Sequence, residues 1–243
     1  MELYEERILS ELKAWKKRMV RNPSFVNRTT RKIQDKMNNL IPEKIHRGIT
    51  KAIKGMVRAV LFGAKFTSKR AVRNQSFEAR EAVVQEKINF YKKTAAAEGG
   101  ITGFTGIVGS LADFPILLSM KIKLLFEIAT QYGYSVNDYK ERLYILYIFQ
   151  LAFCSPQVRK EIFLKMLNWN EYSKQLPDDI HRFDWRTFQR EYRDYIDLAK
   201  LGQMIPVVGA PIGAIANYRL IEKLGKTAMN AYRMRNAALT SLW

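Results

Sequence analysis

The chemistry this chain can do resides mainly in its cations. Lys16, Lys17 and Arg18 follow Trp15 directly, and Arg47, Lys51, Lys54 and Arg58 recur at spacings of four, three and four. On an α-helix such spacings set the four along one face. Rows of fixed positive charge take anions: lipid phosphates, a nucleic-acid backbone or an acidic protein surface. Catalytic candidates are few. His46 and His181 are the only histidines, and neither belongs to a metal-ligand motif. Cys154, the only cysteine, sits in the apolar run LAFCSP and reads as a small core residue. Asp113 stands in a highly apolar stretch, where it reads first as a helix N-cap and second as an ion or ligand contact in a helical cavity. Lys121 interrupts the same stretch, and Lys123 and Glu127 can pair across one turn. The glycine-rich run lacks Gly-Lys-Ser/Thr and follows a helical pattern, so it is neither a P-loop nor a dinucleotide fingerprint. The expectation is a protein without catalytic residues, metal or cofactor.

The charge is unevenly placed. Of 243 residues, 41 are Lys or Arg and 23 Asp or Glu, giving +18. Residues 1–70 carry 18 of those cations and 6 of the acids, a net +12. With 47% hydrophobic and 26% charged residues the chain can bury a sizeable core. The first helix is charged throughout, unlike a secretory signal, and a single cysteine excludes an internal disulfide. A cytoplasmic protein is expected. The longest uncharged run, Leu201–Tyr218, spans 18 residues but contains two prolines and three glycines. It falls short of the roughly 20 mostly apolar residues of a transmembrane span.

Every segment that must position these residues reads as helix, since no stretch alternates with period two. Tyr4, Ile8, Leu12, Trp15 and Met19 share one face of a helix over Glu2–Val20, stopped by Arg21-Asn22-Pro23. A second helix is expected from Ser24 or Thr29 to Ile41. The third, opened by Pro42, sets Ile45, Ile49, Ile53, Met56 and Val60 beside the cationic row. Ser76 caps a helix to Ala97. A glycine-rich turn follows, and Asp113 with Pro115 starts the next helix, closed by Gly133 in a left-handed cap. Ser135 to Asp138 resembles a capping box before a helix to Cys154. Ser155-Pro156 opens another to Asn168, Trp169–Phe183 is irregular, and Asp184 caps a helix to Leu201. In the last unit, Gly209 and Gly213 form a G-x-x-x-G face. The two glycine-rich units are expected to pack on each other at the centre of the fold.

Two stretches carry a family resemblance. AAAEGGITGFTGIVGSLADFPILLSMKIKLLFEIATQYGYS resembles the signature region of the EcsC family of bacterial proteins, and IPVVGAPIGAIANYRLIEKLGKTAMNAYRMR resembles its C-terminal signature. YEERILSELKAW and Ile41-Pro42-Glu43-Lys44-Ile45 are similar to the branch found beside an ABC transporter. The motif positions are Gly99, Gly100, Gly103, Gly106, Asp113, Pro115, Tyr132, Gly133, Pro206, Gly209, Gly213 and Asn217. The resemblance implies association with an Ecs-type ABC transporter and brings no reaction, cofactor or catalytic residue.

The resulting expectation is an all-α protein with a basic amphipathic segment over residues 1–70 and a helical core domain over 71–243. It would be a non-enzymatic accessory or scaffold, peripheral at the cytoplasmic membrane face. Trp15, Lys16, Lys17, Arg18, Arg47, Lys51, Lys54 and Arg58 would meet anionic lipid. Nucleic acid is disfavoured, because the basic segments show no helix-turn-helix, RRM-type strand or zinc site. The alternative is a carrier holding a lipid or other apolar ligand in a helical cavity, with Asp113 and Tyr132 near its mouth.

Overall fold

The computed structural model describes residues 2–21, 43–62, 75–102, 106–196 and 210–236. They form nine α-helices and no strand: α1 (Glu2–Val20), α2 (Glu43–Phe62), α3 (Phe77–Thr102), α4 (Gly106–Gln131), α5 (Tyr139–Phe153), α6 (Arg159–Leu167), α7 (Trp169–Lys174), α8 (Trp185–Tyr195) and α9 (Ala210–Met234). A 3-10 turn covers Ile180–Arg182, and an isolated bridge pairs Cys154 with Ile196. The all-α expectation holds. No helix among the described residues is long and apolar enough to cross a membrane.

α5 explains the centre. Its sequence, YKERLYILYIFQLAF, is apolar on every side after Arg142, and Leu143–Phe153 are all buried. A helix without a polar face must be enclosed. Beside it three long helices, α3, α4 and α9, pack on one another. Lys87 Nζ and the Tyr91 hydroxyl reach Glu127 at 2.8 Å each, which ties α3 to α4. Lys92 lies 3.8 Å from Glu222, and Ile88 covers Gly225, which ties α3 to α9. Both pairs run antiparallel. The end of α3 and the beginnings of α4 and α9, all glycine-rich, therefore share one end of the bundle. α1 lies over α6 and α9, and α2 over α4, α5 and α8. Leu12 and Trp15 of α1 and Ile49, Ile53, Met56, Val57 and Val60 of α2 belong to the same core cluster as α5.

Among the described glycines, Gly225 has the tightest surroundings. A Cβ there would stand 2.6 Å from Ile88 Cγ1 and 3.0 Å from its Cγ2. Ile88 is fully buried and branched at that contact, so it cannot swing aside cheaply. Gly225→Ala is expected to cost about 1–3 kcal/mol, the range of core overpacking. Ile88→Ala in the same chain should recover part of that loss in denaturant melts. A Gly225→Ala protein as stable as the parent would contradict this packing.

Several boundaries differ from the sequence reading. α3 continues through Gly99 and Gly100, and α4 begins at Gly106 rather than at Asp113. Asp113 is thus inside a helix and is not its cap. Pro115 is also internal; it supplies no N–H to the turn before it. Burial of Phe114, Leu117 and Leu118 against neighbours overrides these weak local preferences. Asp138, not Ser135, caps α5: its carboxylate accepts from Lys140 N–H at 2.9 Å, while Ser135 Oγ accepts from Asn137 N–H. α6 starts three residues after Pro156, and the connection after Trp169 contains α7 and the 3-10 turn. α8 stops at Tyr195, where Ile196 joins the bridge to Cys154, instead of reaching Leu201. Glu127 pairs with Lys87 across two helices, not with Lys123. The second helix expected before Ile41 lies outside the described residues, as do Gly103, Pro206 and Gly209.

Other boundaries match. Ser76 Oγ accepts from Ala79 N–H at 3.2 Å, and Asp184 accepts from Thr187 N–H at 3.1 Å. Gly133 has φ +91°; its N–H donates to Thr130 and that of Tyr134 to Ala129, the paired bonds of a Schellman cap.

Candidate anion-binding site

The cationic residues fall into two places. On α2, Arg47, Lys51, Lys54 and Arg58 are all exposed, while Ile49, Ile53, Met56 and Val60 of the same helix are buried. Eleven residues separate the outer two, so the row runs about 16 Å along the helix. The apolar stripe of α2 is committed to the core and cannot also enter an acyl layer. Any lipid contact of this helix is therefore made by its charges and by what lies beside them. Alongside runs a shallow groove of about 250 Å³ between α2 and α4, lined by Gly55, Met56, Ala59, Pro115 and Ser119 among others. Ile116, next to Pro115, is 56% exposed.

On α1, the expected lipid contact at Trp15 is corrected by the structure. Its ring is buried and meets Phe163 edge-on at 5.5 Å. A residue at the i, i+3, i+4 position of the core stripe is inside, whatever its affinity for interfaces. Lys16 is half-buried, and burial pulls its pKa down. Lys17 and Arg18 are exposed. They line a cleft of about 1220 Å³ between α1 and the α3–α9 pair, together with Arg21, Lys226, Asn230 and Arg233. Sequence reasoning missed Lys226, Asn230 and Arg233 as partners of Lys17 and Arg18. No local signal could supply them, because some two hundred residues separate the two strips.

A buried polar seam lies beneath this cleft. Arg233 donates from Nε and Nη2 to the two oxygens of Glu81, at 2.7 Å each. Its Nη1 reaches Glu11 at 3.1 Å and Asn230 Oδ1 at 3.2 Å. Glu81 also accepts from Tyr132 (2.6 Å) and Tyr4 (2.8 Å). Burial, then the Glu81 charge and hydrogen bond, raise the Tyr132 pKa. Burial pulls Arg233 down, but its carboxylate partners outweigh that and leave its pKa raised. Nearby, Glu141 accepts from Tyr232 at 2.8 Å and from Arg235 at 2.7 Å, and Arg235 lies 3.9 Å from the centre of the Tyr134 ring. Every carboxylate of this seam is engaged, which suits architecture better than proton transfer.

The remaining predicted residues are placed as follows. Tyr132 donates into the seam and Gly133 closes α4. Asn217 is fully buried in α9. Gly99 and Gly100 lie at the end of α3, Gly106 opens α4, and Gly213 lies in the first turn of α9. Asp113 lies in α4 and Tyr132 directly follows its last residue, 19 positions on and hence about 28 Å away, too far to share a cavity mouth. His181 is exposed, with its ring 6.4 Å from that of Phe62. The side chain of His46 lies outside the described residues. Cys154 is buried and its thiol donates to the Leu151 carbonyl. No group of three potential metal ligands occurs among the described residues.

The described residues thus define an all-α protein with an internally neutralised polar seam and cation-rich outer surfaces. The chain belongs to the EcsC protein family, whose model matches residues 6–236. It is 42% identical to Protein EcsC of Bacillus subtilis (strain 168) over 229 residues, covering 94% of each chain. It is also 32% identical to the uncharacterized protein YdbA of the same organism, over 58% of this chain and 52% of that one. No solved structure matches the chain.

Proposed function

We propose that this protein is a non-enzymatic accessory or scaffold held at the cytoplasmic membrane face by electrostatic attraction to anionic lipid. The observation that carries the reading is the cationic row of α2. Its four charges face outward from a helix whose apolar stripe is already used in the core. α2 holds one acid, Glu43, against Lys44, Arg47, Lys51, Lys54 and Arg58, and the next acid along the sequence is Glu78. The groove and Ile116 beside the row offer a small apolar surface at the same level, as an interface requires. A link to an Ecs-type ABC transporter is part of the proposal and rests on what the family resemblance implies.

Flotation with anionic and neutral vesicles tests the proposal. Each Lys or Arg near an anionic surface contributes about 1 kcal/mol, so neutralising Arg47, Lys51, Lys54 and Arg58 to Gln should weaken binding by about three orders of magnitude. The parent should bind anionic vesicles only and release in high salt. Equal binding to neutral vesicles, or undiminished binding by the fourfold variant, would defeat the reading.

A further inference from the structure

The cleft beneath α1 is charged out of proportion to its internal needs. Five cations line it (Lys17, Arg18, Arg21, Lys226 and Arg233) against a single lining acid, Glu11; of the five, Lys226 also pairs with Glu222, one turn earlier on α9, at 3.1 Å. Arg233 at its floor is held by two carboxylates of different character. Glu81 is 1% exposed and grips Nε and Nη2 in a bidentate pair. Glu11 is 52% exposed, comes from α1, and touches only Nη1, at 3.1 Å. The first is built into the core; the second can swing into solvent without leaving a buried charge unpaired. Its carboxylate occupies the place on Nη1 that an oxygen of an incoming anion would take.

We infer that this cleft binds a phosphate-bearing anion, and that Glu11 is the built-in stand-in which the phosphate displaces. Glu81 already balances Arg233, so once Glu11 leaves, the charge that meets an anion is that of the walls: Lys17, Arg18 and Arg21, with Lys226 shared with Glu222. A lone carboxylate carries one charge, and these walls call for more. A phosphate monoester carries about −1.5 to −2 at neutral pH and has three acceptor oxygens for converging donors. The volume, about 1220 Å³, exceeds a phosphate, and Ala14 and Val20 provide exposed apolar wall for the rest of the molecule. A lipid headgroup and a soluble phosphate ester share this chemistry.

The cleft does not depend on the α2 row, so the inference stands or falls apart from the membrane reading. The test is calorimetric titration of the full chain with glycerol phosphate and with dihexanoyl phosphatidic acid below its micelle concentration, using thermal melts to confirm folding. Glu11→Gln removes the competing charge while keeping a neutral oxygen for Arg233, and should tighten binding by about threefold to tenfold. Lys226→Gln and Arg18→Gln should each weaken it by a similar factor. Glu171→Gln, the same charge change at an exposed pair on α7, should leave it unchanged. The α2 fourfold variant should bind these probes as the parent does, even if vesicle binding fails. Equal affinity for both probes assigns a soluble ester, and preference for the lipid assigns a headgroup; either supports the site. Absence of binding by parent and Glu11→Gln alike would overturn it. So would equal gains from Glu11→Gln and Glu171→Gln.

Discussion

Lys121→Met is expected to stabilise the protein at pH 7 by about 3–5 kcal/mol. Lys121 lies midway along α4 and is fully buried, with no hydrogen-bond partner for its Nζ. Burial lowers its pKa from 10.5 to about 7. The consequence for stability has a definite sign. The unfolded chain holds this proton up to about pH 10.5, and the folded chain releases it near pH 7. Between those values the unfolded state binds more protons, so stability contributed through this group rises with pH. Below pH 7 both states are protonated and the full penalty of burying the charge is present. Methionine has similar length and no charge, and it fills irregular space well. Denaturant melts of both proteins at pH 6, 8 and 10 should show the largest advantage for the variant at pH 6 and a small one at pH 10. A Lys121→Met protein less stable than the parent across that range would show that the amine has a favourable role in the fold.

Lys121 also shows what the sequence could and could not convey. In the sequence it is only a charge that interrupts an apolar stretch; its burial follows from the face it shares with Leu117, Leu124 and Ile128, all of them buried. The helices over Glu2–Val20 and Glu43–Phe62 were legible from their apolar stripes, such as Ile8, Leu12 and Trp15. Asp113 was misread because capping is a local signal and the decision was not local. The packing of Phe114, Leu117 and Leu118 carries the helix back through Gly109 to Gly106, and a good capping residue is left inside. The cationic row of α2 could be read from spacing alone. The cleft could not, since Lys17 and Lys226 meet only through the path of α1 across α9. Glu81 carried no signal either: in EAREAVV it looks like one more surface acid of a charged helix. Only the arrival of Arg233, Tyr132 and Tyr4 makes it the hub of the seam.

Glu81→Leu is expected to cost about 3–5 kcal/mol, the range for removing one partner of a buried ion pair. The loss exceeds that of a hydrogen bond because of what stays behind. Arg233 would keep Glu11 and Asn230 on Nη1 but would have nothing for Nε and Nη2, in a position only 5% exposed. The hydroxyls of Tyr132 and Tyr4 would lose their acceptor together with it. Arg233→Met should cost less, because Glu81 would still accept from both tyrosines. The double variant Glu81→Leu/Arg233→Met should recover much of the loss, since it removes both charges and leaves apolar groups of similar bulk. Urea melts of the two single variants and the double one measure the coupling directly. Single variants that each lose less than about 1 kcal/mol, the scale of an exposed pair, would mean that water reaches the seam and that Glu81 is not its anchor. A folded double variant has a further use. It keeps α1 and α9 together without Arg233, so the contribution of this guanidinium to architecture and to anion binding can be measured separately in one protein.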